Sequence, residues 1–333
     1  MLSIIIVNYK SVQHILNCLQ SASRYPGFLS YEWIVVDNEV DGNCMELIKQ
    51  AFPSVKYFRM GYNAGFARAN NAGMRKASGD VFLLLNPDVL FSSDVLPGCL
   101  QRFNESSYAA CSVQLRFADG TPQITGNYFI KGALNLLLPL PYIGALVKKA
   151  GQFFGVKKTN VEEAKSLEVV DWINGAFLMV KKEVVQQAGM LDEDFFLYAE
   201  EIEWCSRLRK TGELCVYGDL DIVHLQGETI NAATGNLEKG YYNLYDKKGL
   251  QLIVSNLLRV RKQWGLLWYL FHLAAYSFAA LLYLFIFPIQ NLISGKLVLH
   301  NADKASGFFT NMIKTWRLFP KMVRLTPYFY KMI

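Results

Sequence analysis

The sequence predicts an α/β fold: a parallel sheet flanked by helices, followed by a helical C-terminal segment suited to a membrane. Three observations predict it. Short β-branched apolar runs alternate with helix-like segments through residues 3–85, the order from which parallel sheets with right-handed crossovers are built. Polar residues gather just after the runs, at Asn8, Asp37, Asn63 and Asp88, and open α/β sheets bind ligands at that edge. Residues 265–287, GLLWYLFHLAAYSFAALLYLFIF, contain no Asp, Glu, Lys or Arg and are longer than the roughly 20 residues a helix needs to cross hydrocarbon.

The elements follow in order. Residues 3–7 form a continuous apolar run, as a strand buried on both faces requires. Residues 12–23 read as a helix with Ser11 as its cap. Residues 31–36 are a second buried strand ended by Asp37-Asn38, and residues 44–52 a helix stopped by Pro53. A third strand at 55–59 leads into the Gly/Asn-rich turn YNAGFARANNAG, a helix at 66–76, and a fourth strand at 81–85 ended by Asn86-Pro87-Asp88. Residues 126–165 change character: apolar, with two Lys pairs and two prolines in 135–158, they read as a mobile or membrane-facing insertion, or as a helical cover on the sheet. Beyond it, strands are expected at 169–174 and 176–180 and helices at 182–188 and 200–210. The expected division is a catalytic-type domain over 1–255 and a basic, apolar helical region over 256–333.

Charge is unevenly spread. The net charge is +6 over 333 residues, yet residues 257–333 hold ten Lys or Arg and one acid, Asp303, which leaves −3 for residues 1–256. A nucleic-acid binder would carry its basic residues on the folded domain, so nucleic acid is not an expected partner. Arg259, Arg261 and Lys262 precede the apolar run, and Lys296, Lys304, Lys314 and Arg317 follow it. Basic flanks on both sides suit attachment from one side of an anionic cytoplasmic leaflet, as a re-entrant or surface-lying helix. A single span and a buried soluble helix stay open. Met1 runs straight into LSIIIVNY without a basic region or cleavage site, so residues 1–255 are expected in the cytosol. Six cysteines without a C-x-x-C pair exclude a zinc ribbon and a disulfide scaffold.

Four clusters carry possible chemistry. Asp88, at the tip of a buried strand, suits a hard cation that bridges phosphates, or simply caps the next turn. Residues 192–203 hold six acids, Asp192, Glu193, Asp194, Glu200, Glu201 and Glu203, among aromatics. They either stabilise a helix start or supply a base. His224 follows a strand-like LDIV. The glycines of residues 61–71 let backbone approach a phosphate, and Arg68 can pair with one. There is neither G-x-G-x-x-G nor G-x-x-x-x-G-K-[ST], which disfavours a nicotinamide oxidoreductase and a P-loop.

The ordered set SIIIVNYKS, IVVDN, YNAGFARANNAG, LLLNPDV, WINGAFLMVKK, DEDFFLYAEEIEWCSRLRKTG and VHLQG resembles glycosyltransferase family 2, within it the bacterial rhamnosyltransferase-like branch, over about residues 2–255. The resemblance implies the GT-A fold, a Rossmann-like, mixed and mainly parallel sheet, and inverting transfer from a nucleotide-sugar donor. It implies that Asn8, Tyr9 and Asp37 hold base and ribose, and that Asn63, Gly65, Arg68 and Asn70 line the donor near its diphosphate. Asn86-Pro87-Asp88 falls on the DxD-type motif with one carboxylate, so His224 is expected as the second ligand of Mg2+ or Mn2+. Trp172, Asn174, Gly175 and Ala176 match the turn at the sugar and acceptor. Glu201 is the expected base, with Glu200 and then Asp194 behind it. The implied reaction moves L-rhamnose from dTDP-rhamnose to a polyprenyl-diphosphate-linked glycan during surface polysaccharide synthesis, at the cytoplasmic face of the plasma membrane. The same chemistry with a UDP- or GDP-sugar and a catalytically inactive membrane scaffold are the alternatives, and a homodimer is allowed.

Overall fold

The computed structural model describes residues 1–225, 243–295, 297–299 and 301–333. Of the features read from sequence, Lys296 and the last two residues of VHLQG lie outside the described residues. The described chain divides into two compact units. The first comprises residues 1–128, 160–193 and 201–237, and the second 129–159, 194–200 and 238–333. The expected boundary at 255/256 therefore falls inside a helix, and residues 129–159 group with the C-terminal helices, because their apolar side chains share that core.

The first unit opens with β1 (Leu2–Asn8), α1 (Val12–Ala22), β2 (Glu32–Asp37), α2 (Cys44–Ala51), β3 (Lys56–Arg59), α3 (Gly65–Lys76) and β4 (Val81–Leu85), as the alternation predicts. It continues through β5 (Val89–Leu90), α4 (Val95–Asn104), β6 (Ala110–Arg116), β7 (Gly126–Asn127), β8 (Leu167–Val170), β9 (Trp172–Ile173), β10 (Phe177–Lys181), α6 (Lys182–Ala188) and β11 (Leu214–His224). The main sheet has the order β3-β2-β1-β4-β10-β6-β11-β5, with β8 also on β11. Strands β3, β2, β1 and β4 pair in parallel. β10 is antiparallel to both β4 and β6, and β11 is parallel to β6. The sheet is therefore mixed but mainly parallel, and β11 ends at the same edge as β1, β2 and β4.

Alternate residues of the strands enter different cores. Ile4, Ile6, Leu83 and Leu85 pack with Ile15, Leu19 and Phe103 of α1 and α4. Ile5, Val36, Phe82 and Leu84 pack with Ala67 and Met74 of α3 and with Trp204. Burial on both faces is why these strands read as unbroken apolar runs. α3 comes so close that a Cβ on Gly73 would stand 2.5 Å from Ile5 Cγ2. Ser11 does occupy the N-cap of α1, but its hydroxyl makes no cap bond and donates to Asn8 Oδ1 at 3.1 Å.

Glu32 is a buried carboxylate at the amino edge of β2. It accepts from Ser78 N at 2.8 Å, Ser78 Oγ at 2.6 Å, Lys56 Nζ at 2.5 Å and Ser3 Oγ. Burial alone would raise its pKa; the bonds from Lys56, Ser3 and Ser78 outweigh burial and hold it at about 2, below the ordinary 4.5. Unfolding frees the carboxylate to titrate normally. The stabilisation is therefore complete above about pH 4.5 and is lost as pH falls through about 2. Glu32→Gln is expected to cost roughly 1–3 kcal/mol at neutral pH and to flatten the acid limb of stability. Denaturant melts across pH check this; an unchanged acid limb would contradict it.

The second unit holds α5 (Ile143–Phe153), α8 (Lys247–Trp264), α9 (Leu266–Ile293), α10 (Ala302–Arg317) and α11 (Phe319–Arg324). Asp246 caps α8 by accepting from Gly249 N at 2.8 Å. Gly265 turns the chain into α9 with φ +93°, a backbone that favours glycine. Among the described residues α9 is the one helix long and apolar enough to cross a membrane. Its Tyr269, Leu273, Tyr276 and Ala280 pack with Leu257 and Leu258 of α8 and Phe308 and Met312 of α10. Segment 194–200 is held here by the chain's C-terminal residues and by α8: Tyr330 N donates to Asp194 O at 2.9 Å, and Ser255 Oγ to Leu197 O at 2.7 Å.

Candidate functional site

The carboxyl edge of the first unit's sheet collects most of the expected side chains. β5 pairs with the end of β11, His224 opposite Val89, and Leu225 N donates to Asp88 O at 3.0 Å. This register puts Asp88 beside His224, with Asp88 Oδ1 3.4 Å from His224 Nε2. Both residues are almost fully buried. Asn86 Nδ2 lies 3.3 Å from the same nitrogen. Gln123 holds the other side of the ring: its Nε2 donates to His224 O at 2.5 Å, which leaves its Oε1 to accept from His224 Nδ1 at 2.9 Å. That pattern assigns a ring proton to Nδ1 and leaves Nε2 facing the Asp88 carboxylate.

A carboxylate oxygen and an imidazole nitrogen so placed fit a divalent cation. Two ligands about 2.1 Å from one ion stand roughly 3.0–3.4 Å apart at usual coordination angles. Among the described residues no group of three or more His, Cys, Asp and Glu forms a metal site. The pair could thus supply two ligands to such an ion.

From this pair the contacts run to Glu201. Asn86 N donates to Ala176 O at 2.9 Å. Next to Ala176, a Cβ on Gly175 would meet Glu201 Cβ and Cγ and Phe66 Cζ, each at 3.6 Å. Glu201, in the first turn of α7 (Glu200–Leu208), therefore passes over the Gly175 backbone, beside the start of α3. Asn174 holds this turn: its Oδ1 accepts from Ala176 N at 2.9 Å, and its N donates to Thr125 O at 2.9 Å. Trp172 stands half-buried on β9, just before the turn. Glu201 is half-buried, whereas Glu200 is buried and belongs to the second unit. The chain reaches α7 through Tyr198 and Ala199 at φ +71° and +67°, a strained backbone for non-glycine residues.

A second cluster lies at the ends of β1 and β2. Asn8 Nδ2 donates to Asp37 Oδ1 at 2.7 Å and to Glu39 Oε2 at 3.1 Å. Asp37 also accepts from Glu39 N at 3.0 Å and from the Tyr57 hydroxyl. Burial, and then this bond to a carboxylate, push the Tyr57 phenol well up. Tyr9 follows, half-buried. Asn38 links this end of β2 to the glycine turn, donating to Gly65 O at 3.0 Å, while Asn63 Oδ1 accepts from Gly65 N at 3.2 Å. Gly65 has φ +73°, which explains a glycine there. Arg68 Nε donates to Glu193 O at 3.0 Å, and Asn70 is buried and donates to Phe66 O at 3.0 Å. Asp194 belongs to the second unit, where Lys262 Nζ donates to its Oδ2 at 2.7 Å and Tyr328 N to its Oδ1 at 3.0 Å.

The structure thus joins Asp88, His224, Asn86, Ala176, Gly175 and Glu201 in one series of contacts. It places Asn8 with Asp37, and Asn63 with Gly65. Gln123, Asn38 and Tyr57 were not singled out from sequence. Gln123 sits in an irregular stretch after β6, and no spacing marks it as the partner of a histidine 101 residues away.

A mainly parallel α/β sheet with these groups at its carboxyl edge is of the GT-A fold class. Residues 3–155 match the model of Glycosyl transferase family 2. It is 30% identical over 213 residues to the low-salt glycan biosynthesis hexosyltransferase Agl10 of Haloferax volcanii, covering 63% of this chain and 62% of that one. It is 27% identical over 221 residues to rhamnosyltransferase WbbL of Escherichia coli K12, covering 64% and 78%. It is 24% identical over 201 residues to the N-acetylglucosaminyl-diphospho-decaprenol L-rhamnosyltransferase of Mycobacterium tuberculosis, covering 55% and 62%. The match therefore spans less than two thirds of two of these relatives. Among solved structures, GalNAc-T7 with UDP, GalNAc and Mn2+ is similar at a TM-score of 0.51 and 15% identity, covering 67% of this chain and 43% of that one. The mannosyltransferase PcManGT of Pyrobaculum calidifontis with GDP-Man and Mn2+ is similar at 0.50 and 14%, covering 95% and 86%.

Proposed function

We propose that the protein is an inverting, metal-dependent glycosyltransferase. In this reading it moves L-rhamnose from dTDP-rhamnose to a hydroxyl of a polyprenyl-diphosphate-linked glycan, at the cytoplasmic face of the plasma membrane, in surface polysaccharide assembly. The observation that carries the chemistry is the buried Asp88–His224 pair, 3.4 Å apart, joined through Asn86 and the Gly175–Ala176 turn to Glu201. Two relatives named as rhamnosyltransferases support the sugar, and the decaprenol in the name of one supports the lipid carrier.

Asp88 and His224 would hold Mg2+ or Mn2+, which would supply positive charge against the diphosphate leaving group. Asn8 and Asp37 orient base and ribose, and the 63–65 turn offers backbone to the diphosphate. Trp172, Asn174 and Gly175 border the sugar. Glu201 takes the proton of the acceptor hydroxyl as its oxygen bonds to the anomeric carbon. The bond from that carbon to the diphosphate oxygen breaks on the opposite face, so configuration inverts without an enzyme nucleophile.

The test is transfer from a panel of dTDP-, UDP- and GDP-sugars to lipid-linked acceptors, with and without Mg2+ or Mn2+. Metal-dependent transfer of rhamnose with inverted product is expected. Retention of configuration, metal-independent transfer, or no transfer from any donor rejects the corresponding part.

A further inference from the structure

We infer that α9 lies along an anionic membrane surface, embedded from one side, rather than through the bilayer. The inference deepens the proposed acceptor reading, yet it stands on the second unit's own geometry. At 28 residues the helix is about 42 Å long. Leu267, Phe271, Phe278, Phe285, Ile289 and Leu292 are exposed. Their spacings of 4, 7, 7, 4 and 3 residues put them on one face along the whole helix. The other face carries the buried Tyr269, Leu273, Tyr276 and Ala280. An apolar stripe on one side and a protein core on the other is how an interfacial helix is built.

The neighbouring helix decides against crossing. Trp316 Nε1 of α10 donates to Ser277 Oγ at 2.9 Å, and the rings of Tyr269 and Phe319 stack at 6.3 Å. Ser277 lies at the middle of the uncharged run 265–287. A crossing that buried this run in hydrocarbon would carry Lys314 and Arg317, both exposed and beside Trp316, toward the bilayer centre, where such charges are strongly disfavoured. With α9 in the membrane plane, the same two side chains reach headgroup phosphates instead.

The occupant of the stripe is an anionic lipid surface. Residues 257–333 carry +9, so a second copy would bring like charge against like, whereas anionic headgroups complement it. α5, tied to α9 by a 2.9 Å bond from Tyr142 Oη to Gln290 Oε1, adds exposed Leu146 and Phe153 beside Lys148 and Lys149.

The test uses the full chain and vesicles of phosphatidylcholine with or without roughly one third phosphatidylglycerol. Co-sedimentation with the anionic vesicles is expected, weakened about tenfold or more by Phe278→Glu/Phe285→Glu and by Lys314→Glu/Arg317→Glu; these positions are exposed, and circular dichroism checks the fold. Topology is read with Gln263→Cys and Ser294→Cys, since the six native thiols are buried. A membrane-impermeant maleimide added outside should label both positions on vesicle-bound protein. Labelling of only one means crossing and overturns the inference, as does unchanged vesicle binding by the stripe variant, or a dimer that buries the stripe. No nucleotide-sugar is needed, so failure here is separable from failure of the transfer assay.

Discussion

Glu201→Gln is expected to keep donor affinity within about twofold and to lower the turnover of sugar transfer by roughly 10²–10⁴, the usual contribution of a positioned base. The substitution is nearly isosteric, so the packing of the side chain over Gly175 survives. What it removes is the ability to take a proton from the acceptor hydroxyl. Glu200→Gln serves as the comparison, because Glu200 is buried whereas Glu201 is half-buried. It should act chiefly on stability, with a smaller loss of turnover. Steady-state turnover and calorimetric donor binding, measured on variants with matched melting curves, check this. Wild-type turnover in Glu201→Gln removes the assignment. A large loss in Glu200→Gln with none in Glu201→Gln moves the base by one residue.

The parts of this architecture that sequence makes legible are those set by local rules. β1, β2 and β4 have apolar interiors because helices cover both faces, and a polar residue ends β1 and β2 and follows β4, at the sheet edge where ligands bind. Asp88 could be singled out because it stands at an element end within an unusual local pattern, whereas for Glu201 the local pattern gave only a cluster of acids and the resemblance supplied the choice. The unread parts are products of long-range pairing. Nothing near Gln123 marks it as the partner of His224, since that contact follows from β11 lying parallel to β6, to whose Leu115 carbonyl Gln123 N is bonded. The grouping of residues 129–159 with the C-terminal helices has the same origin: His272 and Tyr276 of α9 reach carbonyls of Gly132 and Leu136, each 140 residues earlier. Ser11 shows the limit of a local rule. Its position at the helix start is right, but the nearby Asn8 side chain captures its hydroxyl before the helix backbone does.

His224→Ala and Asp88→Ala are each expected to abolish the increase in donor affinity that Mg2+ or Mn2+ produces in the unaltered protein, and to lower transfer by roughly 10²-fold or more. The two side chains face each other at 3.4 Å and are almost fully buried, so water cannot readily replace either one. Gln123 grades the effect. It bonds both His224 Nδ1 and the His224 carbonyl, so Gln123→Leu frees the ring to turn without removing a ligand. Loss of such an orienting partner commonly weakens metal affinity by about 10–100-fold. The expected order of metal-supported donor affinity is therefore unaltered protein, then Gln123→Leu, then His224→Ala and Asp88→Ala, with affinities converging in chelator. Calorimetric titration of dTDP-rhamnose with and without Mn2+ measures it. If Asp88→Ala and His224→Ala retain the full metal response, the pair is a buried structural contact and the cation sits elsewhere. If only Gln123→Leu retains it, the pair holds the metal but Gln123 does not orient it.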